Sequence, residues 1–309
     1  MGTHPLCAHA QMSNEACPAI NPTTQEDALM ARHPTFRRSG TGSPGDASQA
    51  HVVTLSRRAF VAGSAGALSG CRTEKSTPMP HLEHRPLASL PRTTLSWLSL
   101  RDHFVATVGP HAGRGKPLGP LLVLADATFA PKSRFPLHPH EEMEILSIVV
   151  EGTLSHHGDQ AHGATMGART AQLISARDGM VHAEGNDTDS PTRMLQLWFR
   201  PNTHGGPPVY ASRDFSGGGR QLIAGDEGMS LRADVKVWWL PLAAGRSERL
   251  TIGRARRGYL LATTGPVRVE AVGGGSGVDL ALGEGAQLGE GEVQLSATTG
   301  SAALWIDVA

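Results

Sequence analysis

Four side chains in this sequence have the types and the spacing to hold one metal ion. In Phe135-Pro136-Leu137-His138-Pro139-His140-Glu141-Glu142-Met143-Glu144, His138 and His140 stand two residues apart. In Gly179-Met180-Val181-His182-Ala183-Glu184-Gly185-Asn186, His182 and Glu184 do the same. Residues two apart along a β-strand point to one face. Two such pairs on adjacent strands bring three imidazoles and one carboxylate to a point. Neutral imidazole with carboxylate suits iron, manganese, nickel, copper or zinc, and the lack of thiolate argues against a structural zinc knot. Four protein ligands leave positions for water or substrate if the ion is octahedral. Glu144 lies four residues after His140 on the same strand face, so spacing alone leaves Glu144 and Glu184 both open as the carboxylate. His156, His157 and His162 read as a solvated loop.

The elements that must position these residues are strands. Short apolar runs at 121–124, 144–150, 171–175 and 194–199 are bounded by turn residues such as Gly119-Pro120, Glu151-Gly152 and Asp178-Gly179. A second block carries runs at 235–240, 259–263, 267–272, 278–282, 293–296 and 303–308, separated by turns such as Gly273-Gly274-Gly275. This spacing predicts antiparallel sandwiches or barrels. Abundant glycine (37) and proline (21) agree, since long helices tolerate neither well. Two β-domains are expected, at 86–205 and 206–309, with 200–219 as the connection. The last of the 15 histidines is His204, and all three cysteines lie at Cys7, Cys17 and Cys71. The second domain therefore has no imidazole or thiolate, and is expected to be free of metal.

Charge is balanced, with 28 basic and 28 acidic residues, which argues against direct nucleic-acid binding. No apolar run approaches the roughly 20 residues of a membrane span. Residues 1–85 show neither helix nor strand periodicity and read as a disordered tail. Within them, Arg57-Arg58 precedes a short apolar stretch that ends in Leu68-Ser69-Gly70-Cys71. The paired arginines resemble a twin-arginine export signal, and Cys71 resembles a lipoprotein's lipid-anchored cysteine. An exported protein, periplasmic or lipid-anchored, is the expectation if that signal is used, and a cytoplasmic one otherwise.

His138-x-His140 followed by Glu144 and Gly152 resembles the first cupin motif, and Gly179-x-x-His182-x-x-x-Asn186 the second. More narrowly, several pieces resemble the pirin family: Gly119-Pro120-Leu121-Leu122-Val123-Leu124, Phe135-Pro136-Leu137-His138-Pro139-His140, Gly179-Met180-Val181-His182-Ala183-Glu184 and Leu195-Gln196-Leu197-Trp198. The likeness runs over about 92–309. It implies an all-β bicupin of two tandem jelly-roll barrels, with a single mononuclear iron, Fe(II), in the first barrel, held by His138, His140, His182 and Glu184. Glu144 is then a neighbour of the site or an alternative ligand. The resemblance further implies a quercetin 2,3-dioxygenase-like activity on a flavonol or other small aromatic substrate, with Glu184 or Glu144 as base. Its alternative is a non-enzymatic, redox-sensing regulatory protein. Glu141 stands where pirins usually carry arginine, and Ala176-Arg177-Asp178-Gly179 and 158–163 also depart from the pattern. Those differences bear on the cavity rim and on substrate preference.

Overall fold

The longest apolar runs of this chain are strands with both faces buried. In Ser301–Val308, Ala302, Leu304 and Ile306 join one hydrophobic cluster, while Ala303 and Trp305 join another. In Glu144–Glu151, Leu146 and Ile148 face the first of those clusters and Ile145 faces a third. Burial on both sides favours a continuous apolar run over strict alternation. The computed structural model describes residues 80–309 apart from 226–228 and 276, and their regular secondary structure is almost entirely strand.

Four antiparallel sheets make two barrels. The large sheet of the first barrel has seven strands. Their order is Val209–Asp214, Thr170–Ser175, Glu144–Glu151, Thr192–Phe199, Leu121–Phe129, Leu98–Asp102 and Arg92–Thr94. Its small sheet runs Ser133–Arg134, Met180–Asn186, Thr153–Gly158 and Thr165–Gly167, and His138–His140 pairs with Met180–Asn186. In the second barrel a six-stranded sheet faces a four-stranded one. The two large sheets pack back to back through a core that includes Leu121, Leu146 and Leu197 from one side and Val237, Tyr259 and Leu304 from the other. Polar links span the same seam. The Tyr259 hydroxyl lies 2.6 Å from His103 Nδ1, and Arg193 binds both carboxylate oxygens of Asp126 and the Thr263 carbonyl. Among the described residues no helix is long and apolar enough to cross a membrane.

Two segments differ from the expected boundaries. Leu82–Arg85, expected in the tail, pairs with Gly285–Leu288 and so adds a strand to the second barrel. Val209–Asp214, expected in the connection and the second domain, is the edge strand of the first barrel's large sheet. Both are edge strands, held by backbone pairing more than by apolar burial, so neither carries a long apolar run. The Arg57-Arg58 motif, Cys71 and the rest of the expected tail up to residue 79 lie outside the described residues.

Candidate metal centre

The His138–His140 strand lies antiparallel to Met180–Asn186, with His138 opposite His182 and His140 opposite Met180. Gly179 opens the second of these strands at φ 126, a conformation that favours glycine, and lets the chain turn directly into the site. The ring nitrogens of His138, His140 and His182 lie within 4.8 Å of one another. The ring centroids are 4.7 to 5.0 Å apart.

The protonation of these rings suits metal binding. His138 Nδ1 lies 2.9 Å from the Pro136 carbonyl. A carbonyl only accepts, so Nδ1 carries the proton and Nε2 keeps its lone pair. Burial lowers the His182 pKa to about 3, with the nearby His138 and His156 pushing the same way. His182 is therefore neutral at physiological pH, and both its ring nitrogens are closed to water without a hydrogen-bond partner. His140 packs edge-on against Trp198 at 5.0 Å. Three converging imidazoles, with His182 neutral, are a fitting donor set for a divalent ion.

Glu184 follows His182 on the same inward face of the strand, and it too is buried. Its Oε1 accepts from Ser147 Oγ at 2.6 Å and from Gln172 Nε2. Ser147 Oγ in turn accepts from both Gln172 and Gln196 at 3.3 Å. The 4.8 Å group itself consists of the three histidines. Glu184 stands beside that group, fixed from behind by the floor of the large sheet.

Glu144 is placed elsewhere, and the expectation that it shares a strand face with His140 is corrected. The strand breaks between them at residues 141–143, where Glu142 adopts φ 48, and Glu144 begins a strand of the other sheet. It shares its face with Leu146 and Ile148, turned toward the second barrel. Its carboxylate is fully buried and accepts from Ser175 Oγ at 2.5 Å and Arg232 Nε at 2.8 Å.

The reading of 156 and 157 as part of a solvated loop is also corrected, whereas 162 does lie in one. His156 and His157 belong to the strand Thr153–Gly158, so one points in and one out. His156 is fully buried, 5.3 Å from the His182 ring, and its Nε2 donates to the Asp159 carbonyl at 3.0 Å. His157 faces outward and bonds Asp187 at 2.9 Å. His162 is exposed, and its Nδ1 accepts from the Gly158 amide.

Sequence reasoning missed the polar floor of the barrel. By strand register Gln172, Ser147, Gln196, Ala125 and Asp102 form one row across the large sheet. Ser147, Gln172 and Gln196 each sit alone among apolar neighbours, as in Ile145-Leu146-Ser147-Ile148 and Leu195-Gln196-Leu197. A lone polar residue at an inward position of a buried strand is the signal that marks them. Asp102 closes the row. It is fully buried, neither carboxylate oxygen has a partner, and burial pushes its pKa up to about 7.

Comparison with known proteins agrees with this architecture. The family description "Pirin" matches residues 88–199, and "Quercetinase C-terminal cupin domain" matches 223–308. A Pseudomonas aeruginosa protein provisionally named quercetin 2,3-dioxygenase PA1210 is 33% identical over 200 residues, covering 62% of this chain and 86% of its own. A pirin-like protein of Caulobacter vibrioides is 30% identical with the same coverage. The fold matches the crystal structure of bacterial pirin YhhW from Escherichia coli in complex with nickel(II). The TM-score is 0.66 and the identity 23%, over 74% of this chain and 99% of that one. With two tandem cupin barrels, a histidine triad in the first and relatives matched over most of their length, the chain belongs to the pirin family.

Proposed function

We propose that this chain is a metal-dependent dioxygenase of the quercetinase type, acting on a flavonol or a related small aromatic hydroxyl compound. One divalent ion, Fe(II), would be held by His138, His140, His182 and Glu184. The observation that carries the reading is the convergence of three imidazoles inside the first barrel beside a buried, hydrogen-bonded glutamate. Such an ion supplies Lewis acidity toward the substrate oxygen and reactivity toward dioxygen. The chain's own residues do the rest. Ser147 and Gln172 both donate to Oε1 of Glu184, so Oε2 is the oxygen that turns to the site and takes the substrate's hydroxyl proton. The Trp198 ring beside His140 and the Phe135 ring 6.0 Å from His138 offer apolar surface to a planar substrate. Entry is on the His138 side, because His138 is partly exposed and Leu137 is 62% exposed. Glu144, committed to Arg232 and Ser175, transfers no proton and braces the wall of the barrel against the second one.

The names of the relatives support this reading, and nickel in the Escherichia coli pirin is a metal that the same donor types accept. Oxygen uptake by Fe(II)-loaded protein against a flavonol panel tests it. Turnover above that of free Fe(II), lowered by about a hundredfold or more in Glu184→Gln, is the expected result. If metal-loaded protein consumes no oxygen with any flavonol, the dioxygenase reading falls and a metal-dependent regulatory role replaces it.

A further inference from the structure

We propose that the cleft between the two barrels, floored by Arg169 and Trp239, binds a small organic carboxylate. The cleft measures about 360 Å³ and none of the metal-centre residues lines it. Val150 and Arg169 form its wall on the first barrel, and Trp239, Leu242, Ser301 and Ala302 line the second.

Arg169 is built into place and left unspent. It occupies the tight turn between Thr165–Gly167 and Thr170–Ser175 at φ 66, a left-handed conformation that costs a residue with a side chain on the order of 1 kcal/mol. Its Nε donates to the Phe215 carbonyl at 3.1 Å. Its guanidinium carbon lies 5.7 Å from the Phe215 ring and 5.8 Å from the Trp239 ring, so two aromatic faces fix its plane. Nη2 is buried and has no hydrogen-bond partner, and among the described residues no carboxylate forms an ion pair with this side chain. Two further lining residues each carry a buried, unpaired polar atom, Trp239 Nε1 and Ser301 Oγ. Trp239 itself is 3% exposed.

An unpaired buried donor costs about 1–3 kcal/mol, and three around one cleft make an unusual concentration. All three can donate, and no lining residue is acidic. A site of donors around one guanidinium selects an anion, and the planar fork of arginine matches a carboxylate. The apolar remainder, Val150, Leu242 and Ala302, suits the hydrocarbon body of such a ligand better than the all-polar surface of phosphate.

Benzoate is a suitable probe, titrated calorimetrically into the metal-loaded full chain, with benzamide and inorganic phosphate as controls. Saturable binding of one benzoate, with no binding of benzamide, is expected. Arg169→Met should weaken it tenfold or more, which corresponds to loss of one charge-assisted interaction. Ser301→Ala, a change that leaves the guanidinium and its packing in place, should weaken it several-fold. His182→Ala, which removes a metal-centre histidine, should leave benzoate binding intact. The proposal is overturned if benzoate does not saturate, or if phosphate binds and benzoate does not. It is equally overturned if binding persists in Arg169→Met, or is lost in His182→Ala alone. If Arg169→Met does not fold, unchanged affinity in Ser301→Ala overturns it.

Discussion

Asp102 offers a quantitative test of the barrel interior. Its carboxyl has an ordinary pKa of 3.8 and is pushed to about 7 by burial on a strand whose inward neighbours give its oxygens no partner. A raised carboxyl pKa means that the folded state holds its proton where the unfolded state has lost it. Stability from this group is therefore fully present below the ordinary pKa and falls as pH rises toward the folded one. The shift of about three units corresponds to roughly 4 kcal/mol over the whole range. Between pH 5 and pH 8 about 2.5 kcal/mol of that is lost, essentially all of it below the folded pKa. Asp102→Asn keeps the shape and removes the titration. Metal-stripped wild type and variant should be melted side by side from pH 5 to 8, so that every other group titrates equally in both. The difference in their midpoints should grow by about 5–10 °C across that range, in favour of the asparagine variant, with no further change above pH 8. Parallel profiles would show that Asp102 ionises without cost, and the account of an unsolvated carboxyl at the end of the polar row would be refuted.

Other outcomes follow from the same structure. Arg232→Met leaves the buried Glu144 carboxylate without its cation and should cost about 3–5 kcal/mol in urea denaturation, while the double variant with Glu144→Gln should recover part of that. Ser147→Ala removes a donor that orients Glu184, and metal titration should show affinity about 10–100-fold weaker with the fold retained. If the export reading holds, replacing Arg57 and Arg58 by lysine should keep the precursor in the cytoplasm on cell fractionation, since a twin-arginine signal depends on both. An unchanged distribution would dispose of the export reading.

How legible this molecule was in its sequence depended on where each strand sits. Val235–Leu242 and Ser301–Val308 of the second barrel lie between two cores, so their apolar runs announced them to within a few residues, whereas Ser247–Ile252 and Gly285–Leu288 carried no such run. Leu82–Arg85 and Val209–Asp214 have little to bury, and it is largely pairing with a distant strand that holds them, which no local pattern records. His138, His140 and His182 could be read because the alternation of a strand is the rule that brings them together. The same rule failed at Glu144, because a three-residue break resets the parity. His156 was hidden by its neighbour His157. A histidine pair looks like solvated sequence, yet a strand must turn one of the two inward. The back-bonding of Glu184 by Ser147 and Gln172 comes from strands distant in sequence, and no motif spacing contains it.

The central claim is one metal ion per chain, held in the first barrel by His138, His140, His182 and Glu184. The most direct measurement is the metal content, by mass spectrometry, of untagged protein and of single variants purified together. Wild type should carry close to one transition-metal ion. His138→Ala, His140→Ala and His182→Ala should each fall to a small fraction of that, Glu184→Gln clearly lower than wild type, and Glu144→Gln nearly unchanged. Two ions per chain, or histidine variants that keep their full metal content, would contradict the account.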